Sequence, residues 1–263
     1  MRTFGVVIDS STNLNEIDEQ FKDASVVSLS FMLEDHEVFN HQVSSSDLIN
    51  AKKVSVIAPK PENYIRAYEE QKKLGYKEVF IFISSTYFSD SLTQANLAKT
   101  ILAKNDFHII DTKTFSSGIN QILYQLTLPD NYDETANSIQ VKIETFIKHN
   151  QTILVTRDLP NNFIKNLLPF NHIIEVKDDL NLVKSLPKQE QVFKYIKLRI
   201  ENEKKLGHEP YVLIMYHDLK EAKILQQELF TLLNINIYID DKLPNLIYTK
   251  FKKPLMGITI GRN

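Results

Sequence analysis

KEVFIFISSTYFSDSLTQANLAKTILAKN, residues 77–105, changes its periodicity halfway along. Its first part, KEVFIFIS (77–84), is a near-continuous apolar run, the pattern of a strand covered on both faces. Its second part puts Leu92, Ala95, Ala98 and Leu102 on one helical face and offers Ser89 as the N-cap. Strand, short loop, helix is the repeating unit of an α/β fold. The handover is crowded with hydroxyls: Ser84, Ser85, Thr86, Ser89 and Ser91.

The same alternation extends in both directions. TFGVVID (3–9), SVVSLSFML (25–33) and FHIID (107–111) read as further strands, and KPENYIRAYEEQKKLG as a helix with Pro61 in its first turn and Gly75 as its stop. Helical patterns follow at 116–127 and 133–148. QTILVT (151–156) opens a second run, with a strand HIIEV (172–176), a helix at 189–206 ended by Gly207, and a strand YVLIMY (211–216). Asp218 and Glu221 form a capping box for a helix whose stripe is Ala222, Leu225, Leu229 and Leu232. INIYI, LIYT and GITI read as three closely spaced strands, which calls for an antiparallel or mixed sheet. The expected fold is α/β in two domains. Residues 1–150 carry a mostly parallel sheet flanked by helices, and residues 151–263 an α/β domain with a mixed sheet. No repeat or low-complexity linker separates them, so the halves are expected to pack together.

Composition narrows the function classes. A formal charge of −2 gives no electrostatic reason to expect nucleic acid. No run approaches the roughly 18 apolar residues of a membrane span, and the opening MRTFGVVIDSS reads as a strand rather than a signal peptide. With no cysteine there is neither a disulfide nor a thiol nucleophile, and cytoplasmic residence is the default expectation. The six glycines match neither G-x-G-x-x-G nor the phosphate loop, and G-x-S-x-G is absent. The seven histidines show neither H-x-H nor H-x-x-x-H spacing, so no metal and no cofactor is expected.

Hydroxyls also collect at other strand ends: Asp9-Ser10-Ser11-Thr12, Ser55, and Asp111-Thr112 with Ser116-Ser117-Gly118. Ligands of open α/β sheets bind outside the carboxyl ends of the strands, where helix N-termini receive anions. Four such ends suit a carboxylate or a phosphate; the plainer reading is that Ser, Thr and Asp cap helices wherever helices begin.

These segments resemble, in order, the motifs of the DegV family. VVIDSSTNLNEI resembles its V-T-D-S-T-x-x-L, and APKPENYIRAYEEQKKLGYKEVFIFI its Q-P-S-P…Y-E-x-L…G segment. STYFSDSLTQA overlays S-S-x-L-S-G-T-Y-Q-S-A without a gap, and IIDTKTFSSG resembles the D-S…s-x-G segment. The match covers roughly residues 4–127; beyond 151 it is mainly a succession of strands and helices. The resemblance implies a non-catalytic carrier that holds a long-chain fatty acid between two domains, the carboxylate gripped by strand-end hydroxyls. In several members the bound acid is presented to a fatty-acid kinase. It points to Ser89 as the carboxylate donor, with Ser85 and Thr86 shaping the same turn and Asp9, Ser10, Ser117 and Gly118 completing the set.

Four departures matter. Val56 stands where the family has a ligand-binding threonine, and Ser55 next to it points to the opposite face of a strand. Asp90 replaces a glycine beside Ser89. A G-G-R segment is missing from TRDLPNNF (156–163), and the closing H-x-G-P-G reads Phe251-Lys252-Lys253-Pro254-Leu255. They motivate a competing reading, an interaction protein that kept the fold and lost the ligand. An enzyme acting on a small anionic substrate rests on the hydroxyl-rich strand ends alone.

Overall fold

The computed structural model describes residues 3–12, 21–127, 135–160 and 169–262. Part of the opening motif (13–17), the first two residues of the helix expected at 133, and residues 161–163 of TRDLPNNF lie outside them.

The first sheet is parallel throughout, in the order β2-β1-β6-β7, from β1 (Phe4–Asp9), β2 (Ser25–Val27), β6 (Glu78–Ile83) and β7 (Phe107–Asp111). Its strands read as apolar runs because both faces are covered. Val7, Val79 and Ile81 face α2 (Pro61–Lys73) and α3 (Ser91–Leu102), packing on Tyr64, Ala67, Ala95 and Ala98. Val6, Ile8, Phe80 and Phe82 face α4 (Ser117–Leu126) and α5 (Ala136–His149) through Ile119, Ile122 and Ile143. Pro61 occupies the first turn of α2, and Gly75 ends that helix at φ +96°, a conformation that favours glycine.

The expected strand 25–33 is two strands. Ser10 N–H donates to the Val27 carbonyl as the last rung of the β1–β2 ladder, and the Ser10 hydroxyl then accepts from Leu29 N–H. That side-chain bond takes the backbone out of the parallel sheet. The chain re-forms as β3 (Ser30–Leu33), centre of a small antiparallel sheet with β4 (His36–Phe39) and β5 (Val54–Ile57). A short helix, α1 (Ser45–Asn50), links β4 and β5, capped by the Ser44 hydroxyl.

The second sheet is mixed, in the order β10-β9-β8-β13-β11-β12. Its strands are β8 (Gln151–Thr156), β9 (Asn171–Val176), β10 (Leu180–Leu186), β11 (Pro210–Tyr216), β12 (Ile237–Lys242) and β13 (Pro254–Arg262). Only β11 and β12 run parallel; the other neighbours are antiparallel. One face packs under α6 (Gln189–Lys205) and α7 (Leu219–Leu233). The buried stripe of α7 ends on Leu233, and Leu232 is 58% exposed, a one-residue correction to the expected stripe. LIYT is the short helix α8 (Asn245–Tyr248), not a strand. Pro244 supplies its N-cap, and Leu246, Ile247 and Tyr248 are buried in succession, which an alternating strand forbids.

The other face of this sheet decides where a site can lie. Leu154 of β8, Ile174 and Val176 of β9 and Met215 of β11 turn away from α6 and α7. They pack against Leu29 and Phe31, from the chain running into the small sheet, and against Phe88 and Phe115 from loops at the carboxyl ends of β6 and β7. This apolar layer is built from both halves of the chain and is completed by Tyr248 and Phe251.

Candidate functional site

Above that layer the parallel strands end in three polar loops. Asp9, the last residue of β1, is fully buried. One carboxylate oxygen accepts from Ser11 N–H at 2.9 Å and from the Ser11 hydroxyl; the other accepts from Ser84 N–H at 3.1 Å. A 2.5 Å contact between the Ser11 and Ser84 hydroxyls closes the ring. A buried carboxylate is tolerated when its oxygens are paired in this way, and Asp9 ties the ends of β1 and β6 together.

The loop 84–91 is held from both sides. Ser85 N–H donates to the Thr114 carbonyl at 2.7 Å, and the Ser85 hydroxyl donates to the Lys177 carbonyl at 3.0 Å, which joins this loop to the second half of the chain. Thr86 is exposed. Phe88 points inward and meets Phe115 edge-on, ring centres 5.7 Å apart. Ser89, expected to cap α3, sits one residue earlier; Asp90 holds the N-cap position without a side-chain bond. Ser89 is 9% exposed, and its hydroxyl donates to the Ser91 hydroxyl at 2.8 Å. Behind Ser91 the Tyr64 hydroxyl lies without a well-formed hydrogen bond, and burial pushes its pKa well up.

The third loop carries Ser117 and Gly118. Ser117 is buried and shares a 2.7 Å hydrogen bond with Thr259 of β13. Thr114 and Thr152 pair at 2.6 Å, and Thr152 reaches Thr259 at 3.3 Å, so a ladder of hydroxyls crosses between the halves. A Cβ at Gly118 would come within 2.0 Å of the Thr114 hydroxyl, so only glycine admits this close approach.

The structure therefore gathers Asp9, Ser10, Ser85, Ser89, Ser117 and Gly118 around the carboxyl ends of the parallel sheet and leaves Thr86 in solvent. Ser55 lies in the middle of β5 and is exposed, so it belongs to no strand-end cluster; the pleat turns Val56 toward the apolar layer instead. Phe251, at the position of the family's closing histidine, is fully buried in that layer. His217 Nδ1 pairs with the Tyr248 hydroxyl at 2.9 Å, and burial pushes the Tyr248 pKa up to about 12.

Cavities formed by described residues flank the layer. One of about 430 Å³ is lined by Asp111, Lys113, Thr152 and Val176, and the Lys113–Asp178 ion pair at 2.6 Å lies beside it. One of about 260 Å³ lies at Ser10, Ser11 and Thr12 and reaches the layer through Leu243. The third, of about 590 Å³, is ringed by Lys52, Lys53, Lys250 and Lys252, with Tyr87, Val54 and Leu159 leading to the layer. Asp158, its one carboxylate among the described residues, accepts from Lys252 N–H at 2.6 Å and Lys253 N–H at 3.0 Å. Lys252 also donates its ammonium to the Leu48 and Ala51 carbonyls, and burial lowers its pKa. Ser89 lines none of these three cavities. In the sequence the lysines form two pairs about 200 residues apart, a signal that only the fold turns into one site. No helix among the described residues is long and apolar enough to cross a membrane.

Comparison with known proteins follows this geometry. No curated protein matches the chain. A DegV protein of Thermus thermophilus, described by its fatty acid binding, superposes with a TM-score of 0.85 at 15% identity, covering 100% of both chains. A fatty acid binding DegV protein of Streptococcus agalactiae gives 0.82 at 16% identity, again over 100% of both. The Fatty Acid Kinase B3 protein of Streptococcus pneumoniae, loaded with linoleic acid, gives 0.76 at 16% identity over 97% of this chain and 98% of the other. At such identities the likeness establishes the fold. The family model described as "Uncharacterised protein, DegV family" matches residues 3–261, nearly the whole chain. By that match and by the shared α/β fold, the chain belongs to the DegV family.

Proposed function

We propose that this chain binds a long-chain fatty acid in the apolar layer between its six-stranded sheet and its small three-stranded sheet and acts as a carrier rather than an enzyme. The observation that carries this reading is the layer itself. It is contributed by both halves, lies beneath the loop that bears Ser89, and meets a lysine-ringed cavity at one end. Burying about twelve methylenes there contributes on the order of 10 kcal/mol before ordering costs. Phe88, Phe115 and Phe251 now occupy the space, so an acyl chain enters by displacing these rings, of which Phe88 and Phe115 meet edge-on.

In this reading Ser89 exchanges its bond to Ser91 for one to the carboxylate, with Ser91 and Tyr64 behind it. Asp9, Ser85, Ser117 and Gly118 hold the three loops in place. Lys250 and Lys252 offer ammonium donors in place of the missing threonine hydroxyl and histidine. The similarity to the Fatty Acid Kinase B3 protein loaded with linoleic acid supports the further proposal that the acid is presented to a fatty-acid kinase, which we place in the cytoplasm.

Lipid extraction of the purified protein followed by mass analysis tests the reading. Recovery of a stoichiometric long-chain acid is expected. A protein that is empty as isolated and ignores added oleate and palmitate contradicts it. That outcome favours the second reading, a fold kept for protein interaction, for which the buried Phe251 and the inward Val56 speak.

A further inference from the structure

The cavity of about 260 Å³ shares no lining residue with the lysine-ringed cavity and meets the apolar layer at Leu243. It forms where the turn after β1 meets the loop between β12 and α8, so both halves of the chain build its walls.

Ser10, Thr12 and Ser116 are among its lining residues. Thr12 lines the cavity, is 5% exposed, and its Oγ1 has no hydrogen-bond partner. A buried hydroxyl left unpaired is unfavourable, and such exceptions in a well-bonded structure call for a ligand or an ordered water. Ser116 adopts φ 37° and ψ −101°, a left-handed conformation costly for a residue with a Cβ, and its hydroxyl does not cap α4. Backbone strain of this kind persists where the surroundings enforce it and collects at ligand sites. The Ser10 hydroxyl accepts from Leu29 N–H at 2.9 Å, which leaves its own proton free to donate.

The frame is fixed. The Asn40 amide donates to the Ser10 carbonyl at 2.8 Å, and Asn245 donates to the Asn40 and Val43 carbonyls at 3.2 and 3.1 Å. Asp241 and Lys242 line the cavity with one charge of each sign. Below, both oxygens of Asp9 are occupied by Ser11 and Ser84. What remains is a set of O–H donors backed by the first turn of α4, an arrangement that receives an anionic oxygen group.

We propose that this cavity binds the carboxylate or phosphate group of a small polar molecule through Ser10, Thr12 and Ser116, independently of the fatty acid. The test is an amide-resolved NMR titration of the full chain with inorganic phosphate and, separately, with acetate, at ionic strength held constant by chloride. Saturable shifts at Ser10, Thr12 and Ser116–Gly118 are expected. Thr12→Val, which keeps the shape and removes the hydroxyl, is expected to weaken binding about tenfold or more, as loss of a hydrogen bond to a charged group does. If Thr12→Val does not fold, Ser116→Ala carries the same comparison. Saturation by phosphate alone or by acetate alone supports the site and identifies the group. Shifts that stay linear with concentration, that centre on Lys52 and Lys250, or that survive in the variants unchanged overturn it.

Discussion

Replacing Phe251 by alanine separates a lipid slot from an ordinary core. The ring is fully buried in the apolar layer between the six-stranded and three-stranded sheets, in company with Phe88, Phe115 and Tyr248. Truncating a buried phenylalanine costs about 3–5 kcal/mol, the transfer term plus the cavity left behind. At roughly 2–4 °C per kcal/mol for a chain of this size, the midpoint of thermal unfolding falls by on the order of 10 °C. If the layer admits an acyl chain, the same truncation removes a ring that the chain must displace, so Phe251→Ala binds oleate more tightly than the native protein. At free oleate a hundredfold above the dissociation constant, the ligand returns about 2.7 kcal/mol. Thermal unfolding of both proteins, with and without oleate, reads all of these quantities. A destabilised variant that oleate leaves untouched refutes the slot and leaves Phe251 as plain core. A loss below about 1 kcal/mol refutes the packing itself.

Ser89→Ala should weaken oleate binding roughly tenfold to a hundredfold, the equivalent of one hydrogen bond to a carboxylate; isothermal titration with an affinity unchanged would remove Ser89 from the site. Gly118→Ala drives a Cβ to within 2.0 Å of the Thr114 hydroxyl and should cost about 1–3 kcal/mol. Urea unfolding should show part of that loss recovered by adding Thr114→Ser, which removes the neighbouring methyl. His172 is buried in β9 against the Ser185 hydroxyl, and burial lowers its pKa below the usual histidine value. Its unfolded form therefore binds more protons, so stability rises with pH up to about 6.5–7 and falls as pH drops toward 5. His172→Gln should flatten that slope in urea midpoints measured from pH 5 to 7, and an unaltered slope would place the titration elsewhere.

The fold was legible wherever one period held over a whole element. β6 and α3 lie close to where residues 77–105 place them, because apolar continuity and a four-residue stripe each bury a face. The reading failed where a side chain redirects the backbone. Residues 25–33 are uniformly apolar enough for one strand, but the Ser10 hydroxyl takes Leu29 N–H and breaks the ladder, a contact 19 positions away. LIYT has strand-like composition, and Pro244 turns it into a helix. The candidate site was legible as residue types, since hydroxyls at strand ends are visible in the sequence. Their pairings were not: Ser117 reaches Thr259 across 142 positions, and Ser85 reaches the Lys177 carbonyl across 92. The four lysines around one cavity stand about 200 residues apart in two pairs, and only the fold brings Lys52 and Lys53 beside Lys250 and Lys252.

The most direct test is a crystal structure determined after adding oleate to delipidated protein. The account predicts continuous density threading the layer between the sheets, Phe88 and Phe251 swung aside, and a carboxylate within hydrogen-bonding reach of Ser89. Rings in their present places with no density between them, in a protein saturated with oleate, would contradict it.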